Sequence, residues 1–238
     1  MFTLPVANRS ETYTINPSKI VALGLNYRDH IAESQSVRVQ GFGTDEPKEP
    51  VLFPKSPNVL VANGQAVVIP AFLKDYDFPN PRTDHEAELA FVIADRCRNV
   101  SEADAYDHIY GFTCMNDVSQ RNLQNGDRSG WWRGKSLDTF GPVGPRIVLT
   151  ADIGDPQNLE IECRVNGKVT QHSNTKHMIF SIRRIVAFIS RNFTLEPGDI
   201  ITTGTPSGVS PLSHGDVVEV EIEKIGILKN PVVEEGRA

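Results

Sequence analysis

The chain has 238 residues, 39% of them hydrophobic, with 24 Lys and Arg against 30 Asp and Glu, a formal net charge of −6. The acidic balance disfavours a general nucleic-acid binder, which neutralises phosphates with a basic patch, and the apolar content excludes a wholly disordered chain. No apolar run approaches the roughly 18 residues of a membrane span, Met1 to Pro5 lack the pattern of a signal peptide, and three scattered cysteines (Cys97, Cys114, Cys163) suit reduced thiols, so a cytoplasmic protein is expected.

In chain order, Tyr13 to Ile15 and Lys19 to Leu25 read as strands, and Asn26 to Glu33, free of Gly and Pro, as a short helix. Residues 34–50 are polar, Gly- and Pro-interrupted and aperiodic, which suits a mobile lid or a plain loop. Val51 to Phe53 and Ala66 to Ile69 are predicted strands, and Leu73 to Thr83 an irregular stretch. Glu86 to Ala94 alternates as a strand. Ser101, followed by Glu102 and Asp104, looks like the capped start of a helix. Ile109 to Asn116, Ile147 to Leu149, Leu159 to Val165 and Lys168 to Thr170 follow as strands, the last two joined by an Asn166-Gly167 turn. The apolar stripe Ile182, Ile185, Val186, Phe188 and Ile189 marks a helix over Ser181 to Phe193. Ile200 to Thr203 and Val217 to Ile222 complete a β-rich α+β pattern.

Chemistry concentrates in a few places. In a strand, Glu86 and Glu88 share a face while Ala87, Leu89 and Phe91 take the other. The pair is either a solvated edge or two carboxylates whose repulsion a cation relieves. Asp117 ends the next predicted strand, and consecutive strands are often neighbours. Three carboxylates without His or Cys would select a hard ion such as Mg²⁺, Mn²⁺ or Ca²⁺. His30 and Glu33 lie three apart on the first helix, as an oriented general base or as an exposed histidine with an incidental neighbour. Lys135 sits among small residues and turns, suited to an oxyanion or to the surface. Thr202 to Val209 is a Gly-containing loop after a strand, able to offer N–H groups to a carboxylate or to act as a simple turn. Trp131 and Trp132 suit a core or a subunit contact.

The order of these segments resembles the fumarylacetoacetate hydrolase family from about residue 18 to 232. The matching pieces are Gly24-Leu25-Asn26-Tyr27-x-x-His30, Pro50-Val51-Leu52-Phe53-x-Lys55, Glu86-x-Glu88-Leu89 and Asn116-Asp117-Val118-Ser119-x-Arg121. They continue with Lys135-Ser136-x-Asp138-Thr139-Phe140-x-Pro142, the Pro197 to Val209 segment, and Gly215-Asp216-x-Val218-x-Val220-x-Ile222. The resemblance implies a β-rich roll of mixed sheets over 18–238, preceded by an extension over 1–17, and a homodimer. It implies Glu86, Glu88 and Asp117 as ligands of Mg²⁺ or Mn²⁺, and His30, Glu33 and Lys135 as catalytic groups. Lys55, Arg121, Gln124 and Thr205 fall where substrate contacts occur. The implied chemistry is metal-dependent C–C cleavage of a small 2-oxo acid, an acylpyruvate or fumarylpyruvate hydrolysis or an oxaloacetate decarboxylation. Alternatives are an isomerase or decarboxylase of hydroxylated diene-dioates and a non-catalytic, metal-stabilised binder of a dicarboxylate. The short chain fits the single-domain branch, without the small N-terminal barrel or an identifiable fourth carboxylate of the larger members.

Overall fold

A computed structural model describes residues 2–33, 46–127 and 130–237, apart from the side chains of Ala32 and Glu33. The first elements are β1 (Phe2–Pro5), β2 (Thr12–Ile15), β3 (Ile20–Gly24) and α1 (Arg28–Glu33). Then come β4 (Val51–Lys55), β5 (Leu60–Val61), β6 (Val67–Ile69), β7 (Thr83–Asp84), β8 (Ala87–Ile93), β9 (Ile109–Asn116) and β10 (Ser119–Gln120). Two short helices follow, α2 (Arg121–Gly126) and α3 (Trp132–Lys135), before β11 (Gly141–Leu149) and α4 (Thr150–Ile153). The chain closes with β12 (Glu160–Val165), β13 (Lys168–Asn174), α5 (Ile182–Asn192), β14 (Ile200–Thr202), β15 (Val217–Ile222) and β16 (Gly226–Glu234).

Two mixed sheets dominate. One has the order β4-β3-β14-β8-β9-β11-β5 and the other β13-β12-β15-β16-β6. Together with the few helices they make a curled, β-rich α+β roll, in agreement with the sequence reading. β8 is interior to the larger sheet and buried on both faces. Ala87, Leu89, Phe91 and Ile93 pack into the main core with Ile182, Ile185, Val186 and Ile189 of α5. Ala90 and Val92 face a second cluster with Leu4, Ile15 and Ile147. The expected alternation therefore holds, with apolar residues on both sides beyond Glu88, as a strand covered on both faces requires.

α5 begins where Ser181 Oγ accepts from the Arg184 amide at 3.2 Å, which satisfies one exposed helix donor. Its residues Ile182, Ile185, Val186 and Ile189 are fully buried, as their spacing predicts.

Several elements differ from the sequence reading. Residues 2–15 form a hairpin, pairing Phe2 with Ile15, and Leu4 is 2% exposed, so this stretch contributes to a core. The helix expected from Ser101 is a turn followed by a 3₁₀ turn over Ala105–His108. Ser101 Oγ donates to Asp104 Oδ2 at 2.7 Å and accepts from the Asp104 amide at 3.3 Å, local bonding that competes with helix. β11 is longer than predicted, and β16 was not predicted at all. In β16 the polar Lys229 and Asn230, followed by Pro231, obscure the alternation, yet Asn230 is buried and donates to the carbonyls of Ala62 and Gln65. The lid expected over 34–50 falls for residues 34–45 outside the described residues; Glu46, beyond them, pairs with Arg28 of α1. Among the described residues no helix is long and apolar enough to cross a membrane.

Candidate active site and acidic centre

The antiparallel register sets Ala87 opposite Asn116 and Glu88 opposite Met115, and the Asp117 amide donates to Glu86 O at 2.8 Å. Glu86 and Asp117 are thus cross-strand neighbours, and Glu88 lies two residues along on the same face. The carboxylates of Glu86, Glu88 and Asp117 are all buried, and one oxygen from each lies within 4.8 Å of the others. The solvated-edge alternative is excluded, because β8 has strands on both sides.

The three acids are compensated unequally. Lys135 Nζ stands 2.7 Å from both Glu86 Oε2 and Asp117 Oδ2. Arg121 reaches Glu86 Oε1 at 2.6 Å, and Lys55 Nζ reaches Asp117 Oδ1 at 2.6 Å. Burial raises the Glu86 pKa, but Lys135, Arg121 and His30 outweigh it and hold that carboxyl well below the usual range. Glu88 Oε2 accepts the Gly204 amide at 2.8 Å, while among the described residues its buried Oε1 has no hydrogen-bond partner. Burial, then the charges of Asp117 and Glu86, push Glu88 well above the ordinary carboxylate range. A buried carboxylate oxygen without a hydrogen bond, beside two further carboxyl groups, is what a hard divalent cation would satisfy, so these residues fit Mg²⁺ or Mn²⁺.

The lysines come from different elements. Lys55 ends β4, and its ammonium also donates to the carbonyls of Val118 (3.4 Å) and Lys135. Its burial, with Lys135 close by, lowers its pKa. Lys135 ends α3 and lies 4.9 Å from the centre of the Phe53 ring. Burial works against its charge, but Asp117 and Glu86 more than restore it and the net shift is upward. Gly134 lets α3 approach α2, since a Cβ there would sit 2.5 Å from the Gln124 backbone nitrogen.

A small pocket opens beside Glu86, lined also by Lys135, Arg121, Gln124, His30 and Thr205, with Trp131 and Phe53 among the apolar walls. His30 is 7% exposed, so it is not the surface histidine that the sequence left open. Glu33 closes α1, with its side chain outside the described residues. Arg121 donates to Asp84 at 2.8 Å and to Gln124 Oε1 at 2.9 Å, which holds the guanidinium and the amide together. Lys55 does not line the pocket; it stands behind the carboxylates, on Asp117. Trp131 is buried, whereas Trp132 is 53% exposed and donates to Ser56 Oγ.

The Thr202 to Val209 loop is held against the carboxylate strand. Thr205 Oγ1 donates to Ala87 O at 2.9 Å, and Gln171 Nε2 donates to Thr205 Oγ1 and to Pro206 O, both at 2.8 Å. Asn26 Nδ2 donates to Thr203 O at 2.8 Å, tying this loop to the β3–α1 turn that leads to His30. Gly204 adopts φ +86°, and a Cβ there would meet Asn26 Cβ at 2.8 Å.

Sequence reasoning gave no role to Asn26, Asp84, Asn116 or Gln171. Asp84 pairs with both Arg82 and Arg121, and Asn116 Oδ1 accepts the Glu86 amide at 2.9 Å. Asn26 and Asn116 lie within quoted motifs and Asp84 two residues before one, which was the available signal. Gln171 lies in no motif, and only the fold brings it to Thr205.

Comparison with known proteins bears on this geometry. The chain is 41% identical to the mitochondrial oxaloacetate tautomerase FAHD2A of Bos taurus over 243 residues, covering 97% of this chain and 72% of that protein. The solved 5-carboxymethyl-2-hydroxymuconate delta-isomerase of Mycobacterium smegmatis superimposes with a TM-score of 0.80 at 38% identity, covering 96% of this chain and 87% of that one. The fumarylpyruvate hydrolase of Pseudomonas aeruginosa, solved with Mn²⁺ and pyruvate, superimposes with a TM-score of 0.83 at 26% identity, covering 98% and 96%. Residues 19–233 match the family described as fumarylacetoacetate (FAA) hydrolase C-terminal, and the chain belongs to that family.

Proposed function

We propose that the chain is a divalent-metal-dependent enzyme acting at the C–C bond of a small 2-oxo acid, with hydrolysis of an acylpyruvate or fumarylpyruvate as its main reaction. The observation that carries this reading is the convergence of Glu86, Glu88 and Asp117, with a Glu88 oxygen left without a hydrogen bond, where Glu86 lines a pocket shared with His30. A bound Mg²⁺ or Mn²⁺ supplies Lewis acidity toward the oxygens of a 2-oxo acid.

The chain's own groups do the rest. Lys135 pairs with Glu86 and Asp117 and places positive charge beside the pocket, where negative charge develops on the keto oxygen. Arg121 and Gln124, locked to each other, orient the substrate's carboxylate end. His30 takes a proton from the attacking water. Glu33, three residues on in α1, is the proposed partner that orients the imidazole. Decarboxylation of oxaloacetate uses the same charge stabilisation and needs no hydrolytic water. A homodimer remains the expected assembly, to be checked by light scattering.

A second reading, isomerisation or enol–keto tautomerisation, is favoured by the names of the tautomerase and isomerase relatives. It moves protons without breaking a C–C bond. One experiment separates the readings. Acetylpyruvate, fumarylpyruvate and oxaloacetate are each supplied with Mg²⁺, Mn²⁺ or EDTA, and pyruvate release and enol absorbance are followed together. Metal-dependent pyruvate release from an acylpyruvate supports the hydrolase. Metal-dependent loss of oxaloacetate enol absorbance without pyruvate replaces it with the tautomerase. No metal-dependent change with any substrate removes both.

A further inference from the structure

Cys97 takes no part in the acidic centre, yet it is buried and held from both sides. Its amide donates to Leu195 O and its carbonyl accepts the Leu195 amide, each at 3.0 Å. His108 is fixed in a similar way, since its carbonyl accepts the Ala94 amide at 2.9 Å. Its Nδ1 lies 2.6 Å from Asp95 Oδ1. One ligand atom each of Asp95, Cys97 and His108 falls within 4.8 Å of the others. An oxygen, a sulfur and a nitrogen thus converge where the loop after β8 meets the start of β9.

From these observations we propose that Asp95, Cys97 and His108 form a second metal site, for a borderline-soft divalent cation of the zinc class. The donor set selects the ion. Thiolate and imidazole prefer Zn²⁺ or Co²⁺, whereas the all-oxygen centre at Glu86, Glu88 and Asp117 prefers hard ions. Zinc–ligand bonds of about 2.0–2.3 Å at tetrahedral angles set the donors roughly 3.3–3.6 Å apart. The Asp95 carboxylate, 59% exposed, has room to swing from its 2.6 Å contact to that separation.

Binding a divalent ion would displace the Cys97 thiol proton to solvent. The fourth position is open to water. Seven residues separate Asp95 from Glu88, about 23 Å along an extended strand, so the two centres are independent. The site would staple the 95–97 loop to the start of β9 and, through Leu195, to the segment after α5.

Cobalt titration of chelator-stripped protein tests this. A near-ultraviolet thiolate-to-cobalt charge-transfer band is expected in the parent chain and in Glu88→Gln, and it should vanish in Cys97→Ser. In His108→Ala, Co²⁺ affinity should fall by at least the roughly tenfold to hundredfold that an outer-shell partner alone is worth. Zn²⁺ should bleach the band in the parent. His108 and Asp95 are partly exposed, so if Cys97→Ser fails to fold, His108→Ala and Asp95→Ala decide the matter. No band in the parent, a band that survives Cys97→Ser, or unchanged affinity in both His108→Ala and Asp95→Ala would overturn the proposal. None of these outcomes bears on turnover at the acidic centre.

Discussion

Glu88 has one oxygen on the Gly204 amide and the other without a hydrogen bond among the described residues, while its neighbours Glu86 and Asp117 each pair with a cation. That asymmetry has a pH signature in metal-free protein. The Glu88 pKa is raised on folding, so its contribution to stability is complete below the unfolded carboxylate value and is lost as pH rises through the folded value. Each unit of upward shift is worth about 1.4 kcal/mol. Glu86 is depressed, so its contribution is present above the unfolded value and is lost as pH falls through the folded one. Urea denaturation of EDTA-treated protein should therefore show stability falling from mildly acidic toward alkaline pH. Glu88→Gln should flatten that fall, and a profile identical to the parent's would contradict the assignment. Lys135→Met should have the opposite character. It leaves two buried carboxylates short of their shared ammonium and should cost about 3–5 kcal/mol without metal, with partial recovery when Mg²⁺ is added. A loss below about 1 kcal/mol would mean that Lys55 and Arg121 suffice.

At the scale of elements, the site exists because β8 and β9 are paired in one register and the Gly204 loop is pressed onto β8. The Glu-x-Glu spacing and the carboxylate closing the next strand were legible, since alternation fixes which side chains share a face. The hairpin of residues 2–15 was not, because its apolar content is sparse and its burial comes from distant partners such as Ile147. The helix predicted from Ser101 failed for a local reason, the Ser101–Asp104 bonding that ends in a turn. Gln171 and Asn26 were invisible as site supports, since they act on the loop from other parts of the chain. Gly204→Ala tests the loop's role. The positive φ and the 2.8 Å approach to Asn26 both oppose a Cβ, so a loss of about 1–3 kcal/mol is expected in a denaturant melt. Divalent-ion affinity should weaken as well, because the amide that holds Glu88 moves. Normal affinity in that variant would show that Glu88 does not depend on the loop.

Across the whole molecule, the acidic centre is built into the core rather than placed on its surface. Lys55, Lys135, Glu86, Glu88 and Asp117 are all buried within a fold whose apolar clusters press on both faces of β8. An ion bound only by the folded chain then stabilises all of it, by about 2.7 kcal/mol at a hundred times its dissociation constant. Ile185→Ala, at a fully buried α5 position, should cost about 2–5 kcal/mol. Because α5 packs on the face of β8 opposite the acids, that variant should keep its metal affinity. Joint loss of both would show that the centre is not locally preorganised.

Glu86, Glu88 and Asp117 are proposed to hold one divalent ion. The most direct measurement is Mn²⁺ binding followed by electron paramagnetic resonance, on stripped parent protein and on Glu86→Gln, Glu88→Gln and Asp117→Asn. One bound Mn²⁺ per chain is expected in the parent, displaced by Mg²⁺, with its loss in all three variants while they remain folded by circular dichroism. Full Mn²⁺ occupancy in folded Glu88→Gln would contradict that assignment.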